Sequence, residues 1–228
     1  MAAYTTIDDP SAHFQTETYT GAGANTTVTF SGNSDLKPDL LWIKNRGAGY
    51  AHFVVDSNRN ISYAQNSSNA PYLETDSTAA ENNNQNWMQS VNTDGFTTGI
   101  SEHINSTASS TFVAWAWKAN GGTTSSNGDG GITSTVQANT TAGFSIATYT
   151  GNSNNPSSIG HGLGVVPKFY VIRQRDGTNA WKVYHIGLAT ADPEDYVIEL
   201  NQSAAREDNT IWNDTGPTSS VINFTDHG

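Results

Sequence analysis

Six histidines, His13, His52, His103, His161, His185 and His227, are the side chains in this chain best suited to proton transfer or metal ligation. Their spacing argues against both. No two lie within five residues, and the His-Glu-x-x-His pattern that sets two imidazoles on one helical turn does not occur. His161 stands between Gly160 and Gly162, where close backbone approach could shape a small polar site, but a turn or core role is the expectation. Asn127-Gly128-Asp129-Gly130 puts amide and carboxylate oxygens on a glycine-rich turn, as calcium loops do. It lacks the remaining ligands and the closing Glu, so a plain linker is expected. Asp192-Pro193-Glu194-Asp195 and Glu207-Asp208 hold carboxylates of the kind that glycoside hydrolysis uses in pairs about 5–9.5 Å apart. Nothing in the sequence sets two of them in one cleft, and solvated loop acids are expected. A Gly-x-Ser-x-Gly nucleophile elbow and a phosphate-binding loop are both absent. With 0 Cys there is no thiol chemistry, disulfide or cysteine metal site. The expectation is a protein without catalytic residues, cofactor or metal.

Recognition by stacking remains. The chain has 6 Trp, 9 Tyr and 8 Phe, and an aromatic ring offers a large contact area with a polar handle on Trp and Tyr. Trp42, Trp115 and Trp117 sit in apolar runs and are expected in the core. Tyr50, Trp87, Trp181 and Trp212 sit in polar or loop contexts and are the candidates for surface recognition.

The elements that must position these rings are strands. Apolar residues come as short runs or strict alternations rather than at helical spacing. Phe112-Val113-Ala114-Trp115-Ala116-Trp117 is apolar on both faces, so it is predicted to be a central strand with its larger side chains in the core. Further strands are predicted at 40–44, 144–149, 169–173 and 196–200. Turn clusters such as Gly21-Ala22-Gly23-Ala24-Asn25 and Gly151-Asn152-Ser153-Asn154-Asn155-Pro156 separate them. Many short strands with turn signals between them predict an all-β chain of antiparallel sandwich type, jelly-roll or lectin-like.

Composition narrows the partners. Of 228 residues, 76 are Asn, Ser or Thr, and the formal net charge is −11 with only 10 Lys and Arg. Nucleic acid and anionic membrane surfaces need clustered basic residues, so neither is expected as a partner. No apolar run approaches the roughly 18–20 residues that span a bilayer as a helix. The amino terminus lacks the basic start and apolar middle of a secretion signal.

A long internal repeat organises the chain. Tyr19-Thr20-Gly21 recurs as Tyr149-Thr150-Gly151 at an offset of 130. The stretch 38–46, beginning Pro38-Asp39-Leu40-Leu41-Trp42, matches 167–175, beginning Pro167-Lys168-Phe169-Tyr170-Val171, at an offset of 129. Ala79-Ala80 with Trp87 pairs with Ala204-Ala205 and Trp212 at an offset of 125. The period is too long for a solenoid repeat and fits duplication of a whole domain. The expected organisation is a leader or attachment segment at 1–12, a first module at 13–118, a Gly/Ser/Thr-rich linker at 119–141 and a second module at 142–228. The second copy is expected to be truncated, because it stops before a counterpart of Phe112–Trp117. A sandwich lacking a core strand exposes an unpaired edge. A segment of a neighbouring subunit, or this chain's own leader, is expected to complete it.

Several blocks resemble virion structural proteins of tailed phages of marine bacteria and cyanobacteria. They are the stretch 4–16, Lys37-Pro38-Asp39-Leu40-Leu41-Trp42 and its continuation to Arg46, Asn92-Thr93-Asp94-Gly95-Phe96, and 112–122. In the second copy they are 160–168 and 212–221. What the resemblance implies is a β-rich module repeated in tail-fibre-like or other exterior virion proteins, with no catalytic residues. The expected role is a non-enzymatic tail-fibre or adhesin component for host attachment, made in the host cytoplasm and carried on the virion surface. The alternative is a capsid decoration protein, a cement or head fibre that stabilises the particle; a polysaccharide depolymerase ranks third. Expected partners are other virion proteins, further copies of the chain with a trimer favoured, and a host surface glycan or protein.

Overall fold

The computed structural model describes residues 7–62, 70–84, 87–106 and 109–225. Among them the chain is all-β: strands joined by turns, with three single-turn 3-10 segments at Pro10–Ala12, Pro193–Asp195 and Thr210–Trp212. It divides into two compact units, Met1–Glu74 with Glu81–Thr123, and Thr75–Ala80 with Thr124–Gly228.

Unit 1 contains β1 (Phe14–Thr20), β2 (Thr26–Val28), β3 (Leu40–Asn45), β4 (Phe53–Asp56), β5 (Ala70–Glu74), β6 (Asn82–Asn84), β7 (Met88–Val91), β8 (Phe96–Thr98) and β9 (Thr111–Trp117). They form a six-stranded sheet in the order β1-β9-β3-β4-β5-β6 and a three-stranded sheet in the order β2-β8-β7. All their ladders are antiparallel. One core joins the two sheets: Leu41, Ile43, Phe53, Val55, Ala114 and Ala116 from the first, and Val28, Met88 and Phe96 from the second. This is the sandwich arrangement, with inner faces apolar at every second residue.

Strand β9 reverses one expectation. Phe112, Ala114 and Ala116 are its fully buried residues, while Val113, Trp115 and Trp117 lie half-buried on the opposite face. Trp42, opposite Trp115 on β3, shares that outer face. The physical reason is packing volume. The core is already filled by Phe30, Phe53, Phe96, Met88 and Ile104, so the central strand contributes small inward residues and turns its indoles outward.

Buried polar groups hold the loops. Asn105, fully buried, donates from Nδ2 to the carbonyls of Ala24 (2.6 Å) and Gly99 (2.9 Å) and accepts from Ala22 N–H (3.0 Å). Asn45 accepts from Gly47 and Ala48 N–H and donates to Glu102 O, which ties the 45–48 turn to the 102 loop. At Gly95 the backbone has φ +98°, and a Cβ there would stand 2.0 Å from Val28 O, so only glycine closes the turn before β8. Residues 9–15 belong to this unit rather than to a separate leader. The Asp9 carboxylate accepts from Ser11 N–H (2.9 Å) and Ser34 Oγ (2.6 Å), and buried Gln15 donates to Ser34 O (2.7 Å). Residues 1–6 of the expected leader lie outside the described residues.

Unit 2 contains β10 (Ser125–Asn127), β11 (Ser134–Asn139), β12 (Phe144–Thr148), β13 (Ser157–Gly160), β14 (Phe169–Ile172), β15 (Lys182–His185), β16 (Tyr196–Glu199), β17 (Glu207–Asp208) and β18 (Val221–Phe224). Its sheets are β10-β11-β12, β13-β18 and β14-β15-β16-β17. Ile132, Ile159, Ile172, Tyr184, Val197, Ile211, Trp212, Ile222 and Phe224 form its core. The expected linker at 119–141 is therefore corrected: β10 and β11 lie within it. Glycine and serine content concealed an alternation in which Ile132, Ser134 and Val136 turn inward. Thr75–Ala80 also departs from the expected boundaries. It groups with unit 2, where Arg173 Nη2 donates to Thr78 O and Ala79 O, each at 2.7 Å.

One buried ion cluster gives a test of the unit 1 framework. Arg59 bonds Asp56 Oδ2 at 2.6 Å and Glu81 Oε2 at 2.9 Å, and both Arg59 and Asp56 are buried. Removing one member of such a group leaves the others desolvated and uncompensated. Arg59→Met should lower the unfolding free energy by about 3–5 kcal/mol, read from the shift of a urea unfolding midpoint at unchanged slope.

Candidate functional site

Register places the rings on the outer face of the six-stranded sheet. Phe14, Trp117 and Leu40 stand in one row across β1, β9 and β3, and Thr16, Trp115, Trp42 and Val54 in the next, which extends onto β4. The Phe14 and Trp117 rings lie 4.8 Å apart, and Trp42 meets Trp115 edge-on at 5.9 Å. Phe14 is 40% exposed. The three indoles are half-buried, and Trp42 Nε1 is buried without a hydrogen-bond partner. Lys44, on the same face of β3, donates from Nζ to Tyr50 O (2.6 Å) and Ala48 O (3.1 Å), so it is tied to the following turn. The result is a row of aromatic rings on a hydrogen-bonded sheet. Such a surface suits stacking against a sugar ring or burial against an apolar protein patch. It was not legible in β9 alone, because both faces of that strand are apolar; only pairing decides which faces out.

The candidates chosen from sequence divide into two sets. Tyr50 and Trp87 come together on either side of His103, with centroid distances of 5.7 Å and 4.8 Å. Trp87 continues inward to Tyr72 (4.8 Å) and Phe53 (5.8 Å), which makes it a partly buried ring in the middle of a stack, packed against the core. The charge of Glu102 beside Tyr50, with burial second, raises its phenol above the ordinary range. Trp181 and Trp212 do not present surfaces. Trp212 is fully buried and donates from Nε1 to Tyr196 O (3.0 Å), and Trp181 is 8% exposed beneath the Arg173 guanidinium. Both lie in short polar stretches, where side-chain burial by the neighbouring strands leaves no signature in the sequence.

Other polar clusters are structural. A cleft of about 390 Å³ is lined by Lys37, Asp39, Ser57 and Gly121 among others. Asp39 within it is buried and its oxygens are occupied by Ser57 Oγ (2.9 Å), Ala119 N–H (2.8 Å) and Gly121 N–H (2.8 Å). It joins the ends of β3, β4 and β9. His161 is buried as expected: Nδ1 accepts from Leu163 N–H (3.2 Å) and Nε2 faces Thr218 O (3.2 Å), and burial holds the imidazole below its ordinary range. At Gly160, beside it, a Cβ would lie 1.8 Å from Asn127 Oδ1, so Asn127 belongs to a close backbone contact. Among the described residues no group of three or more His, Asp or Glu is arranged to hold a metal ion.

The acids 192–195 and 207–208 converge more than their sequence suggested. Burial first, then the charges of Asp214, Asp192, Glu194 and Asp208, hold the Asp195 carboxyl above the ordinary range. A carboxyl raised in the folded state binds more protons there than when unfolded. Its effect is to lower stability as pH rises through the folded value, and the penalty is absent in acid. Asp195→Asn should therefore raise the melting temperature at pH 7, and the gain should vanish below about pH 4, in thermal scans across that range.

The comparisons with known proteins bear on this architecture as a whole. No curated protein and no solved structure matches the chain. A family profile does, over residues 9–228, which covers both units and every strand of the aromatic face. The chain belongs to the DUF7483 family, a domain of unknown function.

Proposed function

We propose that this protein is a non-enzymatic structural component of the exterior of a tailed-phage particle, a tail-fibre or adhesin part that contacts the host. The observation that carries the reading is the outward row of Phe14, Trp117, Trp115 and Trp42 on a rigid antiparallel sheet. Rings held on a fixed support lose little conformational freedom when they stack on a partner, and aromatic residues dominate contact energies. The resemblance of the blocks at 4–16, 37–46, 112–122, 160–168 and 212–221 to virion structural proteins supports the same reading. So does a net charge of −11, which disfavours capture by nucleic acid released on lysis. Neutral Asn, Ser and Thr side chains in the loops supply hydrogen bonds to a polar surface without fixed charge.

The test compares purified wild-type protein with the double variant Phe14→Ser, Trp117→Ser. Wild type should bind susceptible cells saturably and block phage adsorption. The variant should lose at least tenfold in cell binding, about 1.4 kcal/mol, with its circular dichroism spectrum unchanged. Stoichiometric binding to empty capsids with adsorption unaffected would replace the attachment role with particle decoration. Release of reducing sugar from host polysaccharide would overturn the non-enzymatic reading.

A further inference from the structure

Two unlike rows of side chains lie next to each other on the outer face of the six-stranded sheet. Strand β1 is an end strand of that sheet, and β9 is its neighbour. Along β1 the chain reads Phe14-Gln15-Thr16-Glu17-Thr18-Tyr19-Thr20. Gln15, Glu17 and Tyr19 turn inward, Glu17 opposite Ala114 of the core. Phe14, Thr16, Thr18 and Thr20 turn outward, and all four are exposed. Register sets Phe14 against Trp117, Thr16 against Trp115, Thr18 against Val113 and Thr20 against Thr111. A row of hydroxyls thus borders the sheet, with the indoles and Val113 one strand further in. Successive threonines on one face stand about 6.4–6.8 Å apart, a span of the order of one pyranose ring.

Among the described residues the hydroxyls of Thr16, Thr18 and Thr20 have no hydrogen-bond partner within the protein. Other threonines of unit 1 spend theirs internally: Thr27 Oγ1 meets Thr97 Oγ1 at 3.0 Å, and Thr98 Oγ1 donates to Thr26 O at 3.4 Å. Charge is scarce on this face. Of the residues that β1, β9 and β3 turn outward, only Lys44 is charged, and its Nζ already serves the carbonyls of Tyr50 and Ala48. These features choose among partners. A dry apolar protein surface laid on the indoles would cover the neighbouring threonine hydroxyls without pairing them, which is costly. A charged ligand meets no free opposite charge. A sugar ring carries an apolar C–H face and a rim of hydroxyls, and so matches both rows at once.

We infer that the β1–β9 strip binds a neutral saccharide. A pyranose ring rests its C–H face against the row of Phe14, Trp117 and Trp115, and its rim hydroxyls bond Thr16 and Thr18. The rings supply contact area, and the threonines fix how the sugar lies on them. Thr18 and Thr20, beside Val113 and Thr111, continue the strip for a second sugar unit. The inference rests on the attachment reading and gives the chemistry of the contact.

The experiment measures binding of the purified, fluorescently labelled full chain to susceptible cells after three treatments: none, a broad protease, and mild periodate. Periodate cleaves the vicinal diols of sugar rings and the protease strips surface proteins. Binding should survive the protease and fall at least tenfold after periodate. The double variant Thr16→Val, Thr18→Val removes two hydroxyls, keeps nearly the same side-chain shape and favours the strand as well. It should melt with the wild type and bind untreated cells at least tenfold more weakly. Binding lost to protease and indifferent to periodate would assign the face to a host protein, overturning the saccharide while leaving the attachment role standing. Unchanged or tighter binding by the valine variant would overturn it as well. So would self-association in sedimentation velocity that Phe14→Ser, Trp117→Ser abolishes, since a second copy would then occupy the face. Absence of any binding to untreated cells would overturn both readings together.

Discussion

Strand β9 provides backbone partners to β1 on one edge and β3 on the other, and this double pairing is the constraint on which unit 1 depends. Backbone N–H and C=O groups must be paired wherever water is excluded, so a central strand is the condition for drawing two flanking strands into one sheet. Its neighbours then have their faces assigned. Once Phe112, Ala114 and Ala116 turn inward, Gln15 and Tyr19 of β1 and Leu41 and Ile43 of β3 must turn inward beside them. The remaining side chains of these strands form the outer face.

A chain in which one residue in three is Asn, Ser or Thr folds only if those groups are satisfied where they are buried. Asn45, Asn105, Gln15 and Asp39 are each buried and each joins loops or strand ends through several hydrogen bonds. An unpaired buried polar group costs about 1–3 kcal/mol, so these residues fix the loops against alternatives. They also explain how a protein with few charged residues keeps well-defined connections between short strands. Among the described residues, ion pairing adds a buried cluster around Arg59 in unit 1 and a half-buried cross-strand pair of Lys182 with Glu199 between β15 and β16 in unit 2.

The two units use the same local pairing to different ends. Unit 1 closes its main sheet with β9 and presents rings outward. Unit 2 carries the matching β14–β15 ladder and a core around Trp212, yet β12 and β14 remain the end strands of separate sheets. The contrast separates two kinds of surface. A face of aromatic side chains on a completed sheet recognises by shape and stacking, whereas an open edge recognises by main-chain hydrogen bonds and accepts any sequence of the right alternation.

Period-2 alternation, frequent turn residues and the absence of helical spacing were enough to determine an all-β chain, because strand geometry is local and repeats every second residue. The matching blocks at offsets of 129 and 130 were also legible, and the β3–β4 and β14–β15 registers follow them. The orientation of Trp42, Trp115 and Trp117 was not, since a strand apolar on both faces does not record which sheet will cover it. Nor was the burial of Trp181 and Trp212, or the pairing of β10 and β11 inside a stretch composed like a linker. Those outcomes depend on which distant strands supply the neighbouring volume and hydrogen bonds. Such non-local contacts exist only once the sheets have formed.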